Sequence, residues 1–295
     1  MKLLRKITCL LTGPILSAAI VIASPAFEKL ADSHSRTAED ITLYFSDGTP
    51  PAQGVRAVNE RLLTVGVRVS QETDPVESRP LLRASITRAL HATESAELID
   101  LFRLDRSDLI AEISAAGRTP TVPQGGYLQT SEVDVPPYPK VYDMQALNDD
   151  LVVYLQHKFG RLHVNSSRAG IGIDEVMTIV SGGPYTWFFV LEDNVVGKLR
   201  FGAVDGDRKA WRISYPGLVP HGGFFDASHG LVVAYAHGPR NFVMRYDDPR
   251  VKGREMLGTN PWVDFTGERP VLLSHPCSLN SRRINADQSA TILPE

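Results

Sequence analysis

Six short apolar runs, separated by turn residues, occupy the second half of the chain. The residues between them are rich in Gly, Asp, Asn and Pro, which favour tight turns between strands. Regular spacing of this kind is typical of an antiparallel barrel or sandwich, and a propeller is the competing architecture. No repeat period is visible, which argues against a propeller. The runs are 176–180, 187–191, 195–201, 211–215, 231–235 and 242–246.

The preceding part of the chain mixes strand and helix patterns. Residues 41–45 and 65–69 have β-type sequences, and residues 53–63 carry apolar side chains at helical spacing. We therefore expect a strand–helix–strand unit, with a right-handed crossover if the two strands pair in parallel. Three more helices are predicted between residues 78 and 116, and another at 144–159. The predicted class is α+β, with an N-terminal mixed strand/helix region followed by an antiparallel β-rich barrel or sandwich.

A proline-rich segment separates these two regions. Residues 118–140 contain five prolines and two adjacent glycines, which exclude a regular element. A loop of this length is usually functional or joins two domains. The predicted organisation is a signal peptide at 1–26, a mixed α/β helical region at 27–117, this linker at 118–140, a β-rich domain at 141–250 and an irregular tail at 251–295.

The first residues have the layout of a secretory signal. Three cations precede a long uncharged run, and small residues allow cleavage after Ala23 or after Ala26. The rival interpretation is a retained anchor, because the uncharged run is long enough to span a bilayer. We predict cleavage, which makes the mature protein exported, either periplasmic or secreted. Contact with a membrane is expected only through an uncleaved N-terminal segment.

Composition excludes several classes of protein. Cys9 lies in the predicted signal, so the mature chain keeps Cys277 alone and forms no internal disulfide. The chain has 31 basic and 34 acidic residues, and loss of three cations with the signal leaves 28 against 34. This balance argues against a nucleic-acid-binding face, which requires clustered positive charge. Common catalytic motifs, such as Gly-x-Ser-x-Gly, His-Glu-x-x-His and the phosphate-binding loop, are absent from the sequence.

The histidines are unevenly distributed. Imidazole is the commonest metal ligand, and a mononuclear site needs two or three of them with a carboxylate. The hypothesis is one divalent metal ion in the β-rich region, and the alternative is that these histidines are ordinary strand and turn residues. The predicted metal ligands are His163, His221 and His229. The predicted catalytic residues are His221, as ligand or general base, and Glu175, as ligand or acid.

One segment resembles a known motif. Residues 216–223, Pro-Gly-Leu-Val-Pro-His-Gly-Gly, are similar to the second motif of cupins. The first cupin motif, a His-x-His followed closely by Glu, is not matched, because Asn165 stands where the second His belongs and Glu175 lies farther on. The ligands of that family are therefore not transferred to this chain. The glycines of the same segment could present backbone to a ligand, but a turn before residue 231 is the simpler prediction.

Two functions from different classes remain open. The first is an exported small-molecule-binding protein or enzyme, whose pocket in the β-rich region contains histidines and a divalent metal. The second is a non-enzymatic interaction protein, either of the cell envelope or secreted, in which the proline-rich segment is the contact surface. The first requires at least two of the histidines to converge, whereas the second predicts that they are scattered.

Overall fold

Antiparallel strands dominate the structure, a computed structural model that describes residues 40–120, 140–205, 209–239 and 242–277. These residues belong to one compact unit, residues 35–295. The strands are β1 (Ile41–Phe45), β2 (Ala52–Gln53), β3 (Arg68–Glu72), β4 (Lys140–Asp143), β5 (Val164–Ser166), β6 (Asp174–Gly182), β7 (Tyr185–Val190), β8 (Val196–Phe201), β9 (Ala210–Tyr215), β10 (His221–Phe224), β11 (Gly230–His237), β12 (Val243–Arg245), β13 (Val263–Asp264) and β14 (Val271–Leu272).

Two five-stranded sheets are formed by these strands. Sheet 1 has the order β10-β7-β8-β1-β2, and sheet 2 has the order β3-β9-β6-β11-β4. Strands β5 and β12 form a separate pair, as do β13 and β14. Within the described segments each large sheet ends in edge strands, so neither closes into a barrel. The fold is α+β with an antiparallel sandwich.

The core lies between the two sheets. Rings from opposite sheets meet there, with centroids 5.6 Å apart for Phe201 and Trp211 and 5.5 Å apart for Phe189 and Tyr215. Side chains alternate along a strand, so the inward direction of Tyr215 and Trp211 fixes that of their partners on β6. Glu175 pairs with Tyr215 and Ile179 pairs with Trp211, and both therefore face the interior. This alternation places a carboxylate inside the sandwich.

Helices pack on sheet 2, and one of them contacts both sheets. Helix α1 (Gly54–Leu62) packs on β1, β2 and β3, while α2 (Arg79–Thr87) and α4 (Arg106–Ala115) pack on β6 and β11. On the outer face, Glu112 of α4 accepts hydrogen bonds from Arg68 and Arg212 at 3.0 Å each. These contacts bind the helical layer to the sheet. The helices are α1 (Gly54–Leu62), α2 (Arg79–Thr87), α3 (Ala92–Leu101), α4 (Arg106–Ala115) and α5 (Asp149–Phe159).

The strand–helix–strand unit differs from the expected crossover. Strand β1 pairs with β8 in sheet 1, and β3 pairs with β9 in sheet 2. Because the two strands lie in different sheets, they do not form a parallel pair. The chain before the proline-rich segment thus contributes a strand to each sheet, and its residues share one core with those that follow.

Several expectations concern residues outside the described part of the chain. The predicted signal at 1–26 and residues 121–139 of the proline-rich segment are among them. In the segments that are described, no helix combines the length and hydrophobicity that crossing a bilayer requires.

Candidate functional site

Two distant stretches of chain are joined at one end of the sandwich. The amide of His163 donates to the carbonyl of His221 at 2.8 Å, and the reverse bond measures 2.9 Å. Two residues later, the Asn165 amide donates to the carbonyl of Gly217 at 2.7 Å. Residues 163–165 therefore run beside residues 217–221. Glu175 reaches the same place from the second residue of β6, and Tyr215 from the last residue of β9.

Five side chains meet there and form what we name the buried polar cluster: His163, Asn165, Glu175, Tyr215 and His221. Each of these residues exposes 3% or less of its surface. The Asn165 Nδ2 donates to Glu175 Oε1 at 2.7 Å and lies 3.0 Å from His221 Nε2. The Tyr215 hydroxyl donates to Glu175 Oε2. A continuous chain of polar contacts thus links the phenol, the carboxylate, the amide and one imidazole.

Backbone carbonyls define the tautomers of both histidines. His163 Nδ1 lies 2.7 Å from the Arg161 carbonyl, and His221 Nδ1 lies 2.7 Å from the Val219 carbonyl. A carbonyl oxygen only accepts, so each Nδ1 carries the hydrogen. In a neutral imidazole the other nitrogen, Nε2, then keeps its lone pair. The His221 Nε2 lone pair is directed at the Asn165 amide.

Burial keeps both imidazoles neutral. Desolvation lowers the pKa of His221 from 6.5 to about 4. Desolvation also lowers the pKa of His163 well below 6.5, with a further contribution from the nearby His221. The two rings are neighbours, with centroids 4.7 Å apart. At neutral pH the cluster therefore offers two unprotonated nitrogens beside one carboxyl group.

The phenol of Tyr215 is held in its protonated form. Burial raises its pKa well above 10, and the charge of Glu175 acts in the same direction. The hydroxyl is therefore a hydrogen-bond donor at every physiological pH. Asn165 Oδ1 is also buried, and the described residues provide no hydrogen-bond partner for it. A buried amide oxygen without a hydrogen bond lowers the stability of the fold by about 1–3 kcal/mol. Such an oxygen could accept a hydrogen bond from a ligand or contact a cation.

His229 is not part of this cluster, contrary to the expected ligand set. It precedes β11, where Gly230 pairs with Gly182 at the far end of β6 from Glu175. Seven residues of strand separate the two ends, roughly 23 Å. Its Nδ1 lies 3.1 Å from the hydroxyl of the adjacent Ser228. The structure thus brings together His163, His221 and Glu175 of the predicted site residues and leaves His229 apart.

The three predicted residues do not form a metal centre by themselves. Over the described ranges, no group of three or more His, Cys, Asp or Glu side chains is arranged to hold a metal ion. Asn165 stands between Glu175 and His221 and separates them. Two cluster members, Asn165 and Tyr215, were not predicted as site residues. The available signal was the position of Asn165, two residues after His163 on the same strand face.

A small cavity lies on the other side of Gly217. Its volume is about 270 Å³, and Arg118, Gly172, Asp174 and Leu218 line it together with Gly217. Arg118 Nη1 donates to Asp174 at 2.8 Å. Burial raises the pKa of Asp174 to about 6, although Arg118 opposes this shift. Arg118 and Asp174 thus neutralise each other's charge at the wall of the cavity. The Gly217 backbone lies between the cavity and the cluster.

Comparisons with known proteins are sparse. No protein-family model matches the chain, and no curated protein matches it. Among solved structures, the chain is similar to one described as acireductone dioxygenase from Bacillus anthracis with cadmium ion in active center. The identity is 18% and the TM-score is 0.46, over 72% of this chain and 100% of that one. The geometry of the cluster and of the cavity, and not this similarity, supports the proposals that follow.

Proposed function

We propose that the protein binds one divalent transition-metal ion at the buried polar cluster and that this ion binds a small molecule. The ligands would be His163, His221 and Glu175, with Asn165 as a fourth donor. The observation that carries the proposal is that both imidazoles give their Nδ1 hydrogen to a backbone carbonyl. Metal-binding histidines commonly donate their other ring hydrogen to a carbonyl or carboxylate in this way, because the hydrogen bond orients the ring and leaves the Nε2 lone pair free.

The protonation state supports the same proposal. A metal ion competes with protons for imidazole, so a site is effective at neutral pH only if its histidines are unprotonated there. Burial ensures this for both histidines. A carboxyl group beside two neutral imidazoles would also provide the negative charge that a divalent ion needs in a buried environment.

The Asn165 amide lies where it could serve as a further ligand of the proposed ion. Its nitrogen lies 2.7 Å from Glu175 Oε1 and 3.0 Å from His221 Nε2. Ligands at about 2.1 Å from a metal and at right angles to one another are separated by about 3.0 Å. Rotation of the amide about its terminal bond would exchange Nδ2 for the unpartnered Oδ1, which could then contact a cation. The resulting set of imidazole, carboxylate and amide oxygen suits Fe²⁺, Mn²⁺ or Zn²⁺.

The small molecule would bind directly to the proposed metal ion. A site with few protein ligands keeps positions open, and an ion there supplies Lewis-acid activation of whatever binds at those positions. The chain itself supplies the surroundings, with Phe159 and Tyr246 rings 6.1 and 5.7 Å from that of His163. Such rings exclude water. In this proposal the protein works outside the cytoplasm, as its N-terminal sequence predicts.

Metal titration tests this proposal. Protein stripped with a chelator is dialysed against Mn²⁺, Fe²⁺ or Zn²⁺ and analysed by mass spectrometry for bound metal. We expect one ion per chain. In the His221→Ala variant the affinity should fall about 100-fold or more, because each ligand of a four-ligand site contributes roughly 3 kcal/mol.

The matched control is His229→Ala, which removes an imidazole far from the cluster and should leave affinity unchanged. Circular dichroism checks that both variants fold. Wild-type protein that takes up none of the three metals would refute the proposal, as would binding that survives in His221→Ala at full strength.

A further inference from the structure

We propose that the cavity beside Gly217 binds a small carboxylate that carries an apolar group, and that Arg118 recognises the charge of this ligand. The inference does not depend on the proposed metal ion. Among the described residues that line the cavity, none belongs to the buried polar cluster. The shape of the cavity, the position of Arg118 and two buried nitrogens support the proposal.

The cavity extends from the protein surface to a buried wall. At its outer end Thr119 is exposed, and Leu218 exposes 40% of its surface. Asp174, which is 7% exposed, and Gly217 form the buried wall. The volume of about 270 Å³ lies just below the range of about 300–1,000 Å³ that is typical of sites for drug-sized ligands. A small molecule therefore fits, and Leu218 with Pro216 gives its apolar part a hydrophobic surface.

Arg118 is held at the cavity by the end of helix α4. Gly117 adopts a left-handed conformation with a φ of 74°, and the Arg118 amide donates to the carbonyl of Ile113 at 3.2 Å. A glycine-terminated helix end of this kind fixes the direction of the next residue. The aliphatic part of Arg118 packs against Gly66, where an added Cβ would lie 3.0 Å from Arg118 Cδ. The guanidinium group is therefore positioned before any ligand binds.

One nitrogen of this guanidinium group lacks a hydrogen-bond partner. Nη1 donates to Asp174 Oδ1 at 2.8 Å, and Nη2 donates to the Ser214 hydroxyl. Nε of Arg118 is buried, and within the described segments nothing accepts its hydrogen. A carboxylate can accept two parallel hydrogen bonds from neighbouring guanidinium nitrogens. A ligand carboxylate would thus give Nε an acceptor while Nη1 stays bonded to Asp174.

A second buried nitrogen without a partner lies beside the same ion pair. His237 is opposite Asp174 in the antiparallel register of β6 and β11, so both side chains leave the sheet on the same face. It is 2% exposed, and its Nδ1 has no hydrogen-bond partner in the part of the chain that the structure describes. Buried polar atoms in proteins are nearly always hydrogen-bonded. Two exceptions beside Asp174 indicate that a further polar group binds there.

The nearby carboxylates leave the charge of Arg118 available to a ligand. Asp174 also accepts a hydrogen bond from the Gly217 amide, so its charge is only partly directed to Arg118. Glu112, another carboxylate near Arg118, accepts hydrogen bonds from two other arginines at 3.0 Å each. A single guanidinium group suits a single carboxylate, which favours a ligand with one negative charge.

Calorimetric titration with three probes tests the inference. Full-length protein is titrated with benzoate, benzamide or acetate in the presence of a chelator, so that a metal ion cannot contribute. Benzamide keeps the ring of benzoate without its charge, and acetate keeps the charge without the ring. We expect benzoate to bind at one site and each of the other two to bind more weakly by about tenfold or more, because each loses one kind of contact. Absence of benzoate binding, or equal binding of benzoate and benzamide, would overturn the inference.

Two variants of the ion pair have opposite expected effects. Arg118→Gln removes the charge that recognises the carboxylate, and benzoate affinity should fall about tenfold or more. Asp174→Asn removes the competing negative charge, and benzoate affinity should rise about tenfold. A general loss of stability cannot change the affinity in opposite directions. A decrease in both variants, or no decrease in Arg118→Gln, would contradict the role of Arg118.

A second pair of variants tests the place of binding. Leu218→Glu puts a negative charge at the outer end of the cavity and leaves the ion pair intact, so benzoate should bind about fivefold more weakly. Leu151→Glu is the matched control, because Leu151 lies on α5, is 39% exposed and is not among the residues that line the cavity. This control should bind benzoate as wild type does, and circular dichroism checks that both variants fold. Equal affinities of the two variants would refute binding at this cavity.

Discussion

An alanine at position 217 is expected to destabilise the protein by about 3 kcal/mol or more. A Cβ atom there would lie 2.1 Å from the Ile173 carbonyl oxygen and 2.3 Å from that of Asn165. Both are backbone atoms, so the clash is relieved only if the strands separate. Asn165 is bonded to both neighbours, donating to the Gly217 carbonyl at 2.7 Å and accepting from the Ile173 amide at 3.0 Å. The substitution should therefore disturb the buried polar cluster as well as the fold.

Thermal unfolding followed by circular dichroism measures this effect. A loss of about 3 kcal/mol corresponds to a fall in Tm of roughly 6–12 °C for a domain of this size. Gly223→Ala is the matched control, since its added Cβ would be 3.8 Å from the nearest atom, Trp187 Nε1. That variant should unfold within about 2 °C of wild type. Equal unfolding temperatures for the two variants would contradict the close approach at Gly217.

Acidification is expected to destabilise the metal-free protein, with His221 contributing about 2 kcal/mol between pH 8 and pH 5. The pKa of His221 is lowered by burial to about 4 in the folded state, and its ordinary value of 6.5 applies once the chain unfolds. Between these values the unfolded chain binds a proton that the folded chain does not. Stability is therefore complete above pH 6.5, falls as the pH decreases, and levels off near pH 4. His163, also buried, adds a loss of the same sign.

Urea unfolding in the presence of a chelator, at pH 8 and at pH 5, tests this linkage. The chelator is needed because a bound ion would add its own pH dependence. In wild-type protein the free energy of unfolding should be lower at pH 5 than at pH 8, and in His221→Gln this difference should be smaller by about 2 kcal/mol. His229→Gln, which changes a histidine outside the cluster, should keep the wild-type difference. The explanation fails if His221→Gln retains the full acid sensitivity.

Local pattern predicted most of the secondary structure. The apolar runs became strands β6, β7, β8, β9, β11 and β12, and the predicted helices formed within a few residues. The last helix starts at residue 149 rather than 144, because Asn148 Oδ1 accepts the amide of Leu151 and caps it there. Such features depend on neighbours in sequence, through periodicity and capping.

At residues 221–223 the structure differs from what amino-acid propensity predicts. The sequence around His221 and its two glycines predicted a turn, yet these residues form β10 at the edge of sheet 1. Glycine is disfavoured in strands, because it has no side chain to pack against neighbouring strands. Here its small size is required, since a Cβ on Gly222 would lie 2.8 Å from the Phe159 carbonyl oxygen. The packing of α5 against β10, invisible in the sequence, outweighs the propensity.

The sequence by itself determined most of the elements, the α+β class and the expectation that His163, Glu175 and His221 carry the chemistry. Only the tertiary structure decided which sheet each strand joined, that Asn165 and Tyr215 stand beside those residues, and that His229 lies elsewhere. The physical reason is the range of the contacts. Periodicity reports on residues a few positions apart, whereas the pairing of His163 with His221 spans 58 positions and follows from burial of two sheets against each other.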